Sequence, residues 1–268
     1  MTSTMKFAVR TIAASTLGMA ALSFSTASVA QESILEGWRG TATLGANTST
    51  GNAEASNING SIRLGKTVGR WEHLVFGTVF KGESTLVVSE EDEDGTVSRT
   101  IVRGDTSDRL ALGYQPKYYY SDRTYFFGIL DWERDHPANI DQATRQVIGV
   151  GHRFFSDATG FLSAEVGIGN KNTAVLSGED LAGGIGYLGV NYLNRFNENT
   201  TFTADLRSDF GSDNTFVEFG IGLGFRVSTN VSFKINHFSR NNSDLASGDN
   251  PLSSSSDSVT SFQLVFDI

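Results

Sequence analysis

Residues 215–227, Thr-Phe-Val-Glu-Phe-Gly-Ile-Gly-Leu-Gly-Phe-Arg-Val, set Val217, Phe219, Ile221, Leu223, Phe225 and Val227 between Phe216, Glu218, Gly220, Gly222, Gly224 and Arg226. Successive side chains of a β-strand point to opposite faces, so a strand here has one oily side and one small or charged side. A wall between lipid and water has that pattern. The alternation runs through residues 199–268, and hardly any helix-period pattern breaks it after the N-terminal segment. It predicts an all-β protein, a transmembrane antiparallel up-and-down β-barrel.

The N-terminus reads differently. Lys6 and Arg10 precede an apolar stretch over 11–24, and Ser28-Val29-Ala30 places small residues at −3 and −1 of a cleavage site. Residues 1–30 are therefore expected to be a secretory signal peptide and 31–268 the mature barrel. The apolar stretch is too short for a membrane-spanning helix, which needs about 20 residues. The absence of cysteine excludes a lipid-modified N-terminus and a disulfide framework. Without Lys6 and Arg10, the 21 basic residues fall to 19 against 30 acidic ones, a balance of −11. That charge argues against nucleic acid as a partner.

Hydrophobic content is 39%, with 29 Gly and 3 Pro. A barrel dilutes lipid-facing residues with lumen-facing ones at every second position, so this composition suits a membrane wall as well as a soluble fold. Period-two runs bounded by turn residues give about twelve strands: 38–47, 54–65, 71–81, 105–120, 124–134, 144–155, 160–169, 181–196, 201–210, 215–227, 231–240 and 258–268. The connections 66–70, 121–123, 156–159, 197–199 and 228–230 are short. The intervening 82–104, 135–143, 170–180 and 241–257 are longer or more variable. A soluble sandwich has no reason to sort loop lengths this way. Bacterial outer-membrane barrels do, with the short rim and both termini in the periplasm and the long loops extracellular.

Tyr118, Tyr120, Phe126, Phe154, Phe196, Phe202, Phe225, Phe233 and Phe266 all sit beside a short turn or the C-terminus. An aromatic girdle meets lipid headgroups at that level. The closing run Phe262, Leu264, Phe266, Ile268 has the spacing of the strand that barrel-assembly machinery reads, although it ends in Ile268 rather than an aromatic residue. The expected partners are outer-membrane lipids and lipopolysaccharide, and the assembly machinery during insertion.

Several motifs also carry a family likeness. Trp38-Arg39-Gly40, Leu44-Gly45, Thr50-Gly51-Asn52, Lys117 to Tyr120 ahead of Tyr125-Phe126-Phe127-Gly128, Gly149-Val150-Gly151-His152-Arg153-Phe154-Phe155 and the closing strand resemble the salt-induced outer-membrane proteins. That is a family of bacterial envelope barrels whose domain has no assigned function. The resemblance covers almost the whole mature chain. It implies an envelope barrel and supplies no catalytic residue to carry over.

With apolar residues outward, Arg63, Arg109, Arg145, Arg153, Arg207, Arg226 and Lys234 point into the lumen with Asp131, Glu133, Glu165, Asp205, Asp209 and Glu218. Nearly balanced charge can fill a small barrel as an ion-pair network or line a narrow passage. Gly220, Gly222 and Gly224 remove side-chain volume from one wall.

Two other clusters suggest chemistry. Glu90, Glu91, Asp92, Glu93 and Asp94 in the 82–104 loop are candidate ligands for a hard divalent cation, although their spacing is not that of an EF-hand. The bland reading is a solvated, self-repelling loop. His237 and Ser239 lie two apart on one lipid-side face, where a His general base can activate a Ser nucleophile against an acyl ester. Outer-membrane acyl hydrolases similarly use a His-x-Ser pair but usually follow it with Asn, whereas Arg240 stands here, and Asn241, Asn242 or Asp244 would have to orient the His. The four histidines show no metal-ligand spacing, Gly183-Gly184-Ile185-Gly186 lies in a strand pattern rather than a phosphate loop, and no cofactor is expected. The functional expectations, in order, are a non-enzymatic structural or stress-related envelope barrel, a narrow channel for small polar or charged solutes, and a lipid-side acyl hydrolase.

Overall fold

The computed structural model describes residues 36–49, 54–91, 97–212, 214–243 and 256–268, and in them the alternating strands close into a cylinder. The expected signal peptide, 1–30, lies outside the described residues. The strands are β1 (Arg39–Ser49), β2 (Glu54–Val68), β3 (Trp71–Glu91), β4 (Val97–Tyr119), β5 (Thr124–Asp135), β6 (Ile140–Ser156), β7 (Gly160–Val175), β8 (Leu181–Arg195), β9 (Thr200–Gly211), β10 (Thr215–Arg226), β11 (Val231–Asn242) and β12 (Ser256–Asp267). Each pairs antiparallel with its neighbour in sequence, and β12 returns to β1. An even number of strands brings both ends to one rim, where Gly40 and Ile268 exchange backbone hydrogen bonds of 3.1 and 2.9 Å. This is the terminus rim, and the opposite edge is the far rim.

The faces are inverted relative to a soluble barrel. In β5, Tyr125 and Phe127 are 0% and 5% exposed and point into the lumen, while Phe126 and Leu130 are 54% and 55% exposed on the outside. Leu44, Ile62, Leu112, Ile148, Val166 and Phe262 are likewise exposed on the exterior. That surface is stable only against a hydrocarbon solvent, as expected of a transmembrane barrel. Near the terminus rim, Trp71 meets Tyr118 at 5.1 Å, Tyr120 meets Phe126 at 5.4 Å and Phe196 meets Phe202 at 6.3 Å between ring centroids.

Three of the four expected long connections, 82–104, 135–143 and 170–180, are mostly strand, and most of 241–257 lies outside the described residues. β3 and β4 have 21 and 23 residues, and most of 82–104 belongs to their ladder, which continues to Glu91 opposite Val97. β2 begins opposite Thr85 and β5 ends opposite Arg109, so beyond those points the described part of this hairpin pairs only with itself. β7 likewise runs through most of 170–180, and 135–143 resolves into a 3₁₀ turn, His136–Ala138, before β6 starts at Ile140. Apolar alternation reports the thickness of the lipid slab, whereas the hydrogen-bond ladder continues in water without it. The strand ends were therefore placed too early.

Inward-facing rings are accommodated by inward glycines on the adjacent strand. A Cβ on Gly151 would stand 2.3 Å from the Tyr125 ring, which has no free surface to retreat into. A Cβ on Gly183 would meet only Ser212 Oγ, at 3.9 Å. Gly151→Val is expected to lower stability by about 1–3 kcal/mol through overpacking, while Gly183→Ala stays within about 0.5 kcal/mol of wild type. Urea midpoints of the two variants in detergent or liposomes check this pair.

The lumen as candidate functional site

Residues paired across neighbouring strands share a face, so the register carries the inward set around the barrel. Three charged layers occupy the lumen side of β3 to β11. At the terminus rim, Arg153 Nη2 donates to Tyr119 Oη at 2.5 Å and to Glu72 Oε2 at 3.3 Å, and Tyr119 donates to the same Glu72 oxygen at 3.0 Å. At mid-depth Glu165, 1% exposed, accepts from Lys117 Nζ at 2.8 Å, Gln115 Nε2 at 3.0 Å, Tyr125 Oη at 2.8 Å and Tyr187 Oη at 3.3 Å. One carboxylate thus satisfies an ammonium, an amide and two phenols, which a buried charge requires.

Toward the far rim the network widens. Arg109 donates to Glu133 through Nε and Nη2 at 3.1 and 2.9 Å, and Arg240 Nη2 reaches both Glu133 oxygens at 3.2 Å. Glu218 lies 3.6 Å from Arg109 and Arg240 and 3.9 Å from Arg207. Arg145 bridges Asp131 and Asp209, the second at 2.8 Å. Phe216, fully buried, has Lys171 Nζ 4.7 Å and the Arg207 and Arg240 guanidinium carbons 4.5 and 5.2 Å from its ring centre. Cations over an aromatic face gain from its quadrupole when water is excluded.

The remaining arc differs. From β12 through β1 to β2, the inner wall is mostly hydroxyl and amide: Thr43 bonds Ser61 at 2.6 Å, Asn57 bonds Asn47 at 2.8 Å and Gln263 bonds Ser261 at 3.0 Å. Within this arc Arg63 of β2 is exposed although it sits on the lumen side, Asp205 of β9 is likewise exposed, and Lys234 of the bordering β11 is half-buried. Arg226 is exposed where β10 ends at the terminus rim. Lys234 lies across Gly222, where a Cβ would stand 2.1 Å from Lys234 Cε. The glycine wall therefore makes room for a side chain rather than leaving a void at that level.

Several network members were missed in the sequence. In the sequence Arg240 closes a His-Phe-Ser-Arg string and Asp135 opens the 135–143 connection, yet Arg240 shares the inward parity of Lys234. Lys117, Gln115, Tyr125, Tyr187, Glu72, Lys171 and Phe216 follow the same parity and were recoverable by extending it past the obvious charges.

The weaker candidates are placed as follows. β3 includes Glu90 and Glu91, which corrects the loop assignment there, while Asp92, Glu93 and Asp94 lie outside the described residues. His237 faces outward and contacts Thr260 Oγ1 at 2.9 Å and Ser258 Oγ at 3.4 Å. The structure does not bring it to Ser239, so the activated pair is not assembled. Asn242 accepts from Asn214 at 3.1 Å rather than approaching the imidazole, and Asp244 is outside the described residues.

Lipid-facing exterior, closed antiparallel ladder and ion-paired lumen together define a transmembrane β-barrel. The chain belongs to the family described as protein of unknown function, DUF481, which matches residues 42–268. Among solved structures it is similar to the NanC porin, at 9% identity over 85% of this chain and 100% of that one, with a TM-score of 0.47. It is also similar to the KdgM porin (9% identity, 85% and 97% covered, TM-score 0.41) and to the β domain of the Bordetella autotransporter BrkA (12%, 86% and 97%, TM-score 0.40). No curated protein matches the chain.

Glu165→Leu leaves Lys117 buried without its carboxylate, and the expected loss is about 3–5 kcal/mol, read as a lower urea midpoint. Ser239→Ala is expected to leave lipid acyl hydrolysis indistinguishable from wild type; a drop in product release would restore the hydrolase.

Proposed function

We propose that this protein is a bacterial outer-membrane barrel that passes small polar or charged solutes along a narrow wet strip of its lumen. The carrying observation is the contrast within one cavity: Asp209 and Glu165 are 1% exposed in the paired network, whereas Asp205 and Arg63 on the same inner surface remain open to water. Ion pairs fill the lumen on one side and narrow it, and the hydroxyl and amide arc keeps the other side wettable. The exposed apolar exterior and its rim aromatics support lipid and lipopolysaccharide as surroundings. The short turns of the terminus rim support a periplasmic position for it, with the β3–β4 hairpin outside. The outward Phe262, Leu264 and Phe266 of β12 support recognition by assembly machinery.

Protein purified from membranes and inserted into a planar bilayer is expected to give discrete current steps with an ohmic current–voltage relation. A flat trace at all voltages would remove the channel and favour a structural or stress-related envelope role.

A further inference from the structure

Three inward charges stand apart from the network. Arg63 on β2, Asp205 on β9 and Lys234 on β11 lie within electrostatic reach of one another, yet none closes an ion pair among the described residues. Every other lumen carboxylate described above has a cationic partner. Glu218, the other carboxylate near Asp205, is already taken up by Arg109, Arg207 and Arg240. In the strand order β2 and β9 are separated by β1, β12, β11 and β10, so Arg63 and Asp205 face each other from nearly opposite walls.

The glycines of β10 shape this level. Gly220 pairs with Asp205 and Gly224 with Lys234, and neither adds a side chain between them. Thr203 Oγ1 is buried without a hydrogen-bond partner among the described residues, and it and Lys234 Nζ would each lie 2.8 Å from a Cβ on Gly222. The Lys234 ammonium and the Thr203 hydroxyl thus meet over Gly222, with the Asp205 carboxylate and the Arg63 guanidinium facing this level from β9 and β2. The trio carries a net charge of +1, and its charges are held apart rather than joined.

We propose that Arg63, Lys234 and Asp205 form a binding constriction for a small monoanionic hydroxycarboxylate. Its carboxylate is held by Arg63 and Lys234, and its hydroxyl donates to Asp205. A single negative charge on the ligand neutralises the set. Asp205 repels simple anions that bring no donor, so it acts as the selective element rather than as a source of affinity. Discrimination of this kind comes from a polar group left unpaired by the wrong ligand. The inference rests on the wet-strip reading of the lumen and adds a solute class to it.

Two measurements separate the constriction from the channel. Calorimetry on the detergent-solubilised protein uses sodium gluconate, with sodium propionate as the hydroxyl-free comparison, and bilayer recordings use the same two salts. Wild type is expected to bind gluconate more tightly than propionate, and gluconate is expected to reduce the chloride current. Arg63→Gln or Lys234→Gln weakens gluconate binding about tenfold, the loss of one charge-assisted hydrogen bond. Lys234→Arg retains it, and Asp205→Asn removes the preference over propionate. Among the described residues the three groups have no ion-pair partners, so these variants are expected to keep the wild-type urea midpoint. Equal heats for the two salts, or no heat with either, overturn the constriction even where current flows, and the path then stands without it. Gluconate heat lost in Arg63→Gln, with a flat current trace, upholds the constriction and removes the path.

Discussion

Inside hydrocarbon a peptide group has no partner except another peptide group, and an unmet one costs several kcal/mol. The pairing of β12 back onto β1 meets that demand for the whole cylinder, since it leaves no free strand edge within the lipid. Once the ladder closes, the two-residue period of the strand sends every second side chain to lipid and every other one to the lumen. The inversion of burial across β5, Phe126 out and Tyr125 in, follows from closure and not from any preference of those residues for helix or sheet.

Closure also explains why so much charge tolerates burial. Where the packed side of the lumen is walled from water the local dielectric falls, so an unmatched charge there is expensive and a matched one is firmly held. The chain matches Glu165 with four donors and interleaves Arg109, Glu133, Arg240 and Glu218 across strands that are not all neighbours. Such cross-lumen pairs tie β4 to β10 and β5 to β11, strands that share no backbone ladder. Among the described residues the opposite arc shows no such ties, only local hydroxyl and amide contacts.

Much of this was legible in the chain. The alternation of residues 215–227 reports which side of the wall each residue faces, and that is a local property of a strand. The strand number and the terminus rim followed from turn residues. The far-rim strand ends were not legible, because beyond the lipid Leu86 to Arg103 need not alternate to stay paired. Ion-pair partners were only half legible. Parity identified Arg109 and Glu133 as inward, but their meeting with Arg240 depends on curvature that sets which distant strands face each other. His237 and Ser239 illustrate the converse: adjacency in sequence and on one face did not make them partners, because Thr260 and Ser258 on the next strand were nearer.

The seam has a mechanical consequence. The β1–β12 ladder runs only from Thr41 opposite Asp267 to Ala46 opposite Phe262, shorter than the neighbouring β1–β2 ladder, and it lies in the arc that shows no ion pairs among the described residues. The stiff half of the cylinder is thus its middle strands in chain order, and the compliant half is where first and last meet. A chain that assembles from a folded middle outward closes a zipper it can also reopen, and that zipper sets the tube's weakest circumference.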